Sequence, residues 1–349
     1  MINVSENSVV TINAGTFKNV NGMIPQFAPY MFTHEKNGKL IINGGDFYGG
    51  WRFNGETATT DIYGGNFTVS YDGQSFHAAS THVLTIYGGT FSLENGGKLN
   101  PANHVADGYE ALKNQQGDKY YVVPTTDAEV VVTTADELVA ALEANKGVYL
   151  LNDIKIDPAN MSNAYGTTGI NVKNGQTIDG GGHTLNIQGA GGTWDSGINT
   201  TGGLIKNLTV TGSFRGIFIN HTSSHSEKVV LENVTIGGNG TVYTISCDQG
   251  LYQGIEATNC TFNGWTSYAT TIGNVKFTNC SFGEGQGYAF CRPYAPTTFV
   301  GCNFAAGYEI DAVAAVTFKN CTINGVALTA ENLATLVTSN TANATVNNQ

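Results

Sequence analysis

The sequence predicts an all-β solenoid built as two tandem modules with parallel strands and short capping helices. Three observations carry this. A Gly-Gly-x-Phe unit recurs in the first third, an Asn-centred strand unit recurs through the second half, and the composition is that of a turn-rich chain. Glycine fills 45 of 349 positions. Charged residues are 12%, against roughly 25% in an average protein, so the surface must be built from Gly, Asn, Ser and Thr. With 41% hydrophobic and 10% aromatic residues, the chain has enough apolar material to escape the signature of disorder.

The first module spans residues 1–125. Its units are Ile12-Asn13-Ala14-Gly15-Thr16-Phe17, Ile42-Asn43-Gly44-Gly45-Asp46-Phe47, Ile62-Tyr63-Gly64-Gly65-Asn66-Phe67 and Ile86-Tyr87-Gly88-Gly89-Thr90-Phe91. The phenylalanines are 30, 20 and 24 residues apart. A fixed motif at variable spacing is how coils of a solenoid behave. The Gly pair permits a sharp bend without a Cβ clash, and the Phe then points back inside. Tyr63 and Tyr87 precede equivalent Gly pairs and are expected to stack as a ladder.

The second module spans 126–349. Its units centre on Asn207, Asn233, Asn259, Asn279, Gly301 and Asn320, at steps of 26, 26, 20, 22 and 19. Each reads as a strand with apolar residues alternating inward at period 2. One such strand cannot bury its own face, so the units must stack and share a core. Stacked Asn side chains then hydrogen-bond up a ladder. All five asparagines begin Asn-x-Ser/Thr triplets. A glycan on a buried ladder residue would break the stack, so a bacterial or phage origin is expected. Helical caps are expected near 134–143, where Thr134-Ala135-Asp136-Glu137 forms a capping box ahead of Leu138, Val139, Ala141 and Leu142, and near 329–337. Such caps would cover strand edges that otherwise invite aggregation. Residues 1–17 show no cap, so that end is expected to dock on another subunit.

Six cysteines lie at 247, 260, 280, 291, 302 and 321. Cys260, Cys280, Cys302 and Cys321 take the inward site that Leu208 and Val234 fill elsewhere, so they read as small core residues with free thiols. Neighbouring coils set side chains ~4.8 Å apart, too far for a relaxed disulfide. A line of sulfurs one coil apart is not a metal site either.

These repeats, with Gln176-Thr177-Ile178-Asp179-Gly180-Gly181-Gly182-His183-Thr184-Leu185 as an opening coil, resemble the pectate-lyase-like right-handed parallel β-helix superfamily over residues ~126–349. The Gly-Gly-x-Phe units, closed by Asn100-Pro101, His104–Glu110 and Lys119–Val123, resemble repeats of gut-bacterial surface proteins and phage fibres. The superfamily resemblance implies a right-handed coil. It also implies a rival function, a polysaccharide lyase or depolymerase. The family's hydrolase motifs, an adjacent Asp pair with Gly-His-Gly and Arg-Ile-Lys, are absent, and Asp179, Asp195, Asp248 and Asp311 stand isolated along the chain.

Binding is easier to support than catalysis. Trp194 and Trp265 are expected in Gly/Ser/Thr-rich loops where an aromatic face can stack on a sugar ring. Arg215 and Arg292 with Tyr288 are candidates to line a patch for an acidic glycan. His221 and His225 are four residues apart but in a loop, a weak metal pattern. No cofactor or metal is expected. The net charge of −11 repels phosphate backbones and excludes nucleic acid as a partner. No run is long and apolar enough to span a membrane, and Met1–Glu6 lacks the features of a signal peptide. The expected function is a non-catalytic, surface-displayed structural or attachment protein with possible glycan binding. A virion fibre or capsid-decorating protein leads, and a bacterial cell-surface adhesin is the alternative. The expected partners are other particle or surface subunits and host glycans, in a homotrimer or a monomer.

Overall fold

A computed structural model of the chain describes residues 2–18, 32–49, 51–53, 57–69, 76–78, 81–93, 100–157, 162–164, 167–188, 195–219, 228–247, 254–268 and 273–348. Two compact units divide it, Met1–Val131 and Val132–Gln349. The division falls inside strand Val130–Val132 rather than at 125/126. Val130 and Val131 pair with Lys113 and Asn114, whereas the Val132 carbonyl accepts the Leu151 N–H.

The first unit stacks short parallel strands in strict register. Val9–Ile12, Lys39–Ile42, Thr59–Ile62 and Val83–Ile86 form one sheet, with Ile12, Ile42, Ile62 and Ile86 in one column. Thr16–Lys18, Asp46–Tyr48, Asn66–Val69 and Gly89–Leu93 form another. Phe17, Phe47, Phe67 and Phe91 stack along it at centroid spacings of 5.0, 4.8 and 4.8 Å. The Gly pair at each corner is a steric requirement. A Cβ on Gly44, Gly64 or Gly88 would lie 2.8, 2.7 or 2.4 Å from a carbonyl oxygen of the preceding coil. The second glycine of each pair, Gly45, Gly65 or Gly89, sits at φ between 112° and 117°, and Gly15, after Ala14, at 127°, a region closed to L side chains. The antiparallel strands Tyr109–Asn114 and Lys119–Pro124 finish the unit, the latter running antiparallel to Gly89–Leu93.

The second unit opens with helix Ala135–Glu143. Thr134 accepts the Glu137 N–H at 3.3 Å, and Glu137 reaches back to the Thr133 N–H and hydroxyl at 2.7 and 2.8 Å. The reciprocal half of the capping box therefore falls one residue early. Leu138, Ala141 and Leu142 are buried, and the helix packs on strands Val148–Leu150, Ile154–Ile156 and Thr167–Val172.

Beyond it the coils stack as parallel strands. Val229–Ile236 pairs with Gly203–Thr211 on one side and with Ile255–Thr258 and Thr261–Asn263 on the other. A second sheet runs through Thr167–Val172, Ser196–Thr200, Arg215–Ile219, Tyr243–Ser246, Trp265–Tyr268, Phe290–Pro293, Glu309–Asp311 and Val337–Ser339. Phe277, Phe299 and Phe318 stack inside at 5.2 and 5.3 Å.

The expected second helical cap does not form. Only a 3-10 turn, Leu333–Thr335, is present within 329–337. Three residues after Thr329 stands Asn332 rather than Glu. Its side chain accepts the Thr329 N–H at 2.8 Å and donates to the Ala327 carbonyl at 3.0 Å, which fixes a turn in place of a helix start. Val337 then leaves to pair with Ile310, and its burial there outweighs a marginal short helix.

Candidate functional site

The outward face of the second sheet gathers the large side chains. In Trp265–Tyr268 and Phe290–Pro293, Thr266, Tyr268, Cys291 and Pro293 are buried, while Trp265, Ser267, Phe290 and Arg292 are half-buried on the opposite face. Parallel register sets Arg215, Tyr243, Trp265, Phe290 and Glu309 in one row, and Ser246, Ser267 and Arg292 in the next. Trp265 stacks on Tyr243 at 4.8 Å and meets Phe290 edge-on at 5.2 Å and Tyr288 at 5.4 Å. Tyr288 ends a tight turn closed by two hydrogen bonds with Gly285, with Gln286 and Gly287 in between at φ 53° and 77°. This is the left-handed pair that a two-residue turn requires. The turn holds Tyr288 41% exposed.

Arg292 closes the strip. Its guanidinium lies 5.1 Å from the Phe290 ring centroid and 5.8 Å from that of Trp265, and its Nε donates to Asp311 Oδ2 at 3.1 Å. Asn340 donates to the other Asp311 oxygen at 2.6 Å.

Three of the sequence candidates, Trp265, Tyr288 and Arg292, therefore meet. The structure corrects two details. Trp265 begins a strand rather than sitting in a loop, and its neighbours along the sheet already occupy its ring, so little face is left for a sugar. Arg215 is only 7% exposed. It donates to Ser246 Oγ at 2.6 Å and lies 5.4 and 5.5 Å from the Phe218 and Tyr243 rings, so it packs as the buried first member of the row rather than lining an open patch. Trp194, His221, His225 and Asp248 lie outside the described residues. The sequence reading missed Tyr243 and Phe290 and took Asp311 as an isolated acid, whereas it holds Arg292. Aligning the coils on the strand after the Asn unit, rather than on the Asn, would have shown an aromatic opening three strands in succession.

Asn207, Asn233, Asn259, Asn279 and Asn320 all sit in the left-handed region, at φ between 51° and 55°. Asn233 donates to Asn207 Oδ1 at 3.0 Å, and Asn207 to Asp179 Oδ1 at 3.1 Å. Gly301 takes the same place at φ 62°, and a Cβ there would come 2.6 Å from Asn279 Oδ1. The corner is outward-facing, not buried as expected: four of the five asparagines are exposed and Asn207 is half-buried.

Cys260, Cys280, Cys302 and Cys321 are buried free thiols. Cys280, Cys302 and Cys321 each donate to a carbonyl of the preceding coil, at 3.5, 3.5 and 3.4 Å. The hydrogen bond with Cys280 and burial both hold the Cys260 thiol above its ordinary value, and burial alone pushes Cys291 up. The hydrogen bonds along this column that raise Cys260 pull Cys280 and Cys321 down, so it is burial in the column that marks the four as core groups.

Two of the acids are engaged in ion pairs. Asp179 is buried, accepts the Gly181 N–H at 3.0 Å and lies 3.5 Å from Lys206 Nζ, while Glu256 pairs with Lys228. Among the described residues no group of His, Cys, Asp and Glu could hold a metal ion, and no helix is long and apolar enough to cross a membrane.

Residues 129–243 match the family model of a putative pectate lyase-like adhesive domain. Over that segment the chain is similar to the pectate-lyase-like β-helices. No curated protein and no solved structure matches the chain. The pectate-lyase-like match ends at Tyr243, the ring on which Trp265 stacks, so the exposed half of the strip belongs to coils beyond the matched segment. The adhesive description of the domain points to an adhesin-like role at a surface.

Proposed function

We propose that the chain is a non-catalytic, surface-displayed attachment protein whose second unit binds glycan through Tyr288, Phe290, Arg292 and the edge of Trp265. The single observation that carries this is the in-register aromatic and arginine strip, with Tyr288 held outward by its tight turn. Aromatic side chains with neighbouring hydroxyl and amide groups suit sugar rings, which present both C–H faces and hydroxyls. Engagement of Asp179 with Lys206 and Asn207, and of Asp311 with Arg292 and Asn340, supports a role without catalysis, because neither carboxylate is held ready for proton transfer.

The carrier is a virion or a bacterial cell surface, and the adhesive-domain match supports attachment in either setting. Strands Ile2–Val4, Val9–Ile12 and Thr16–Lys18 pair on one side only among the described residues, which supports docking of a further subunit at that edge. Deleting residues 1–12 should then weaken assembly measured by light scattering. Unchanged assembly would sink this docking.

The test of function is size-exclusion chromatography of the protein with capsular and plant polysaccharides, following retention and polymer length together. Co-elution with polymer of unchanged length is the expected result. Shortened polymer would establish a depolymerase instead, and no shift would leave a purely structural role.

A further inference from the structure

The strip's charge balance says which glycans it takes. Among the described residues Arg292 is its one accessible cation, since Arg215, at the end of the row, is buried. Asp311 already holds the Arg292 Nε at 3.1 Å, and Asn340 fixes that carboxylate from its other side at 2.6 Å. Two further carboxylates flank the aromatic surface. Glu309 is exposed and is the strand partner of Phe290, and exposed Glu284 directly precedes the turn that carries Tyr288. The guanidinium is therefore already held by Asp311, and the row beside it adds the exposed carboxylate of Glu309, in a chain whose net charge is −11. A carboxylate on a sugar would meet repulsion from Glu284 and Glu309. It would also have to displace Asp311, an intramolecular partner that has lost little freedom in binding. What remains for a ligand is uncharged: the Tyr288 ring and hydroxyl, the exposed Gln286 amide, the half-buried Ser267 hydroxyl and the edges of Trp265 and Phe290.

We infer that the strip takes an uncharged, hydroxyl-rich glycan, and that Asp311 sets this preference by neutralising Arg292. The inference rests on the glycan-binding reading above and reverses the acidic patch expected from the sequence. Asp311 is a positioning and specificity-determining residue, acting through Arg292.

The test uses the full chain and two matched pairs of probes at 50 mM salt: homogalacturonan in its fully methyl-esterified and its de-esterified form, and galactomannan against alginate. In each pair the uncharged member should bind at least about fivefold tighter, roughly what one charge contact at ~4 Å is worth in bulk water. Asp311→Asn should close most of that gap by strengthening the acidic member. Glu309→Gln, which leaves the Arg292 contact untouched, should move it in the same direction by less. Far-UV circular dichroism and thermal midpoints check that both variants stay folded, and Glu309→Gln keeps the test alive if Asp311→Asn loosens Asn340. Tighter binding of the acidic members by the wild-type chain would overturn the inference alone. So would an unchanged ratio in both folded variants. Binding of none of the four polymers would overturn the glycan reading and the inference with it.

Discussion

The two units solve one problem, bringing a chain corner against the corner of the coil before it, in two ways. In the first unit the corner is a Gly pair with no side chain, and the preceding carbonyl lies where a Cβ would be. In the second it is a left-handed asparagine whose side chain is used, bonding to the asparagine one coil back. The glycine corner gains close approach and is backed by the Phe17–Phe47–Phe67–Phe91 stack inside. Outer side-chain ladders run in both units: Asn43 donates to Asn13 Oδ1 at 2.8 Å and the left-handed Asn37 to Asn7 Oδ1 at 3.0 Å, as Asn233 does to Asn207. The first unit should therefore lose most through its Phe column, and a single corner bond in the second should matter less.

The sharpest break is Phe67→Ala. Phe67 is 1% exposed and stacks on both neighbours, so its removal should cost about 3–5 kcal/mol through lost burial and the cavity left behind. Hydrogen exchange should show the first unit's strands opening while Val229–Ile236 stays protected. Protection lost equally in both units would show that the two do not hold their stability separately.

Acid should come next. His34 and His82 are buried in the first unit, both ring Nε2 atoms lie on the Thr60 hydroxyl at 3.3 and 2.9 Å, and the rings are 4.7 Å apart. Burial pushes both down to about 4 from the usual 6.5, with His34 adding to the shift at His82. Between those values the unfolded chain binds more protons than the folded one. Stability is thus full above pH 6.5 and falls as pH drops toward 4, on the order of a few kcal/mol. Thermal melts across pH 7 to 4.5 should show the loss, and His82→Gln should flatten it. An equally steep profile in that variant would place the acid sensitivity elsewhere.

Asn233→Ala should cost about 2 kcal/mol, since Ala loses the amide ladder bond and is strained in a left-handed corner. Asn233→Gly should cost less, because Gly301 already occupies the equivalent corner. Urea midpoints rank the two, and the reverse ranking would mean that left-handed strain is not what distinguishes Ala from Gly at this corner.

The smallest effect should be at the exposed tyrosine ladder. Tyr63 is 51% exposed and stacks on Tyr87 at 4.7 Å. Tyr63→Ala should therefore cost about 1 kcal/mol in a thermal melt. A loss as large as that of Phe67→Ala would mean that the outer ladder, not the core, holds the coils in register.

Much of this was legible in the residues. Gly-Gly-x-Phe and Asn-x-Ser/Thr repeats mark the corners because only glycine or asparagine readily takes a left-handed bend. Phe67, Cys280 and Cys302 could be assigned inward because strand alternation leaves no other choice. The helix at Ala135–Glu143 was legible because its cap is local. The failures involve groups far apart in the chain. At 329–337 a helix pattern yields to a pairing with Ile310, some 27 residues upstream. Arg215 and Arg292 read alike in sequence. One is buried on Ser246 and the other is held by Asp311, and the partners lie 31 and 19 residues away. The sequence by itself thus determined the coil, its corners and its inward column, since each follows from one residue's backbone preference and the period-2 alternation of a strand. Only the tertiary structure decided which outward side chains meet and which charges cancel, because coil lengths vary and register across coils sets those neighbours.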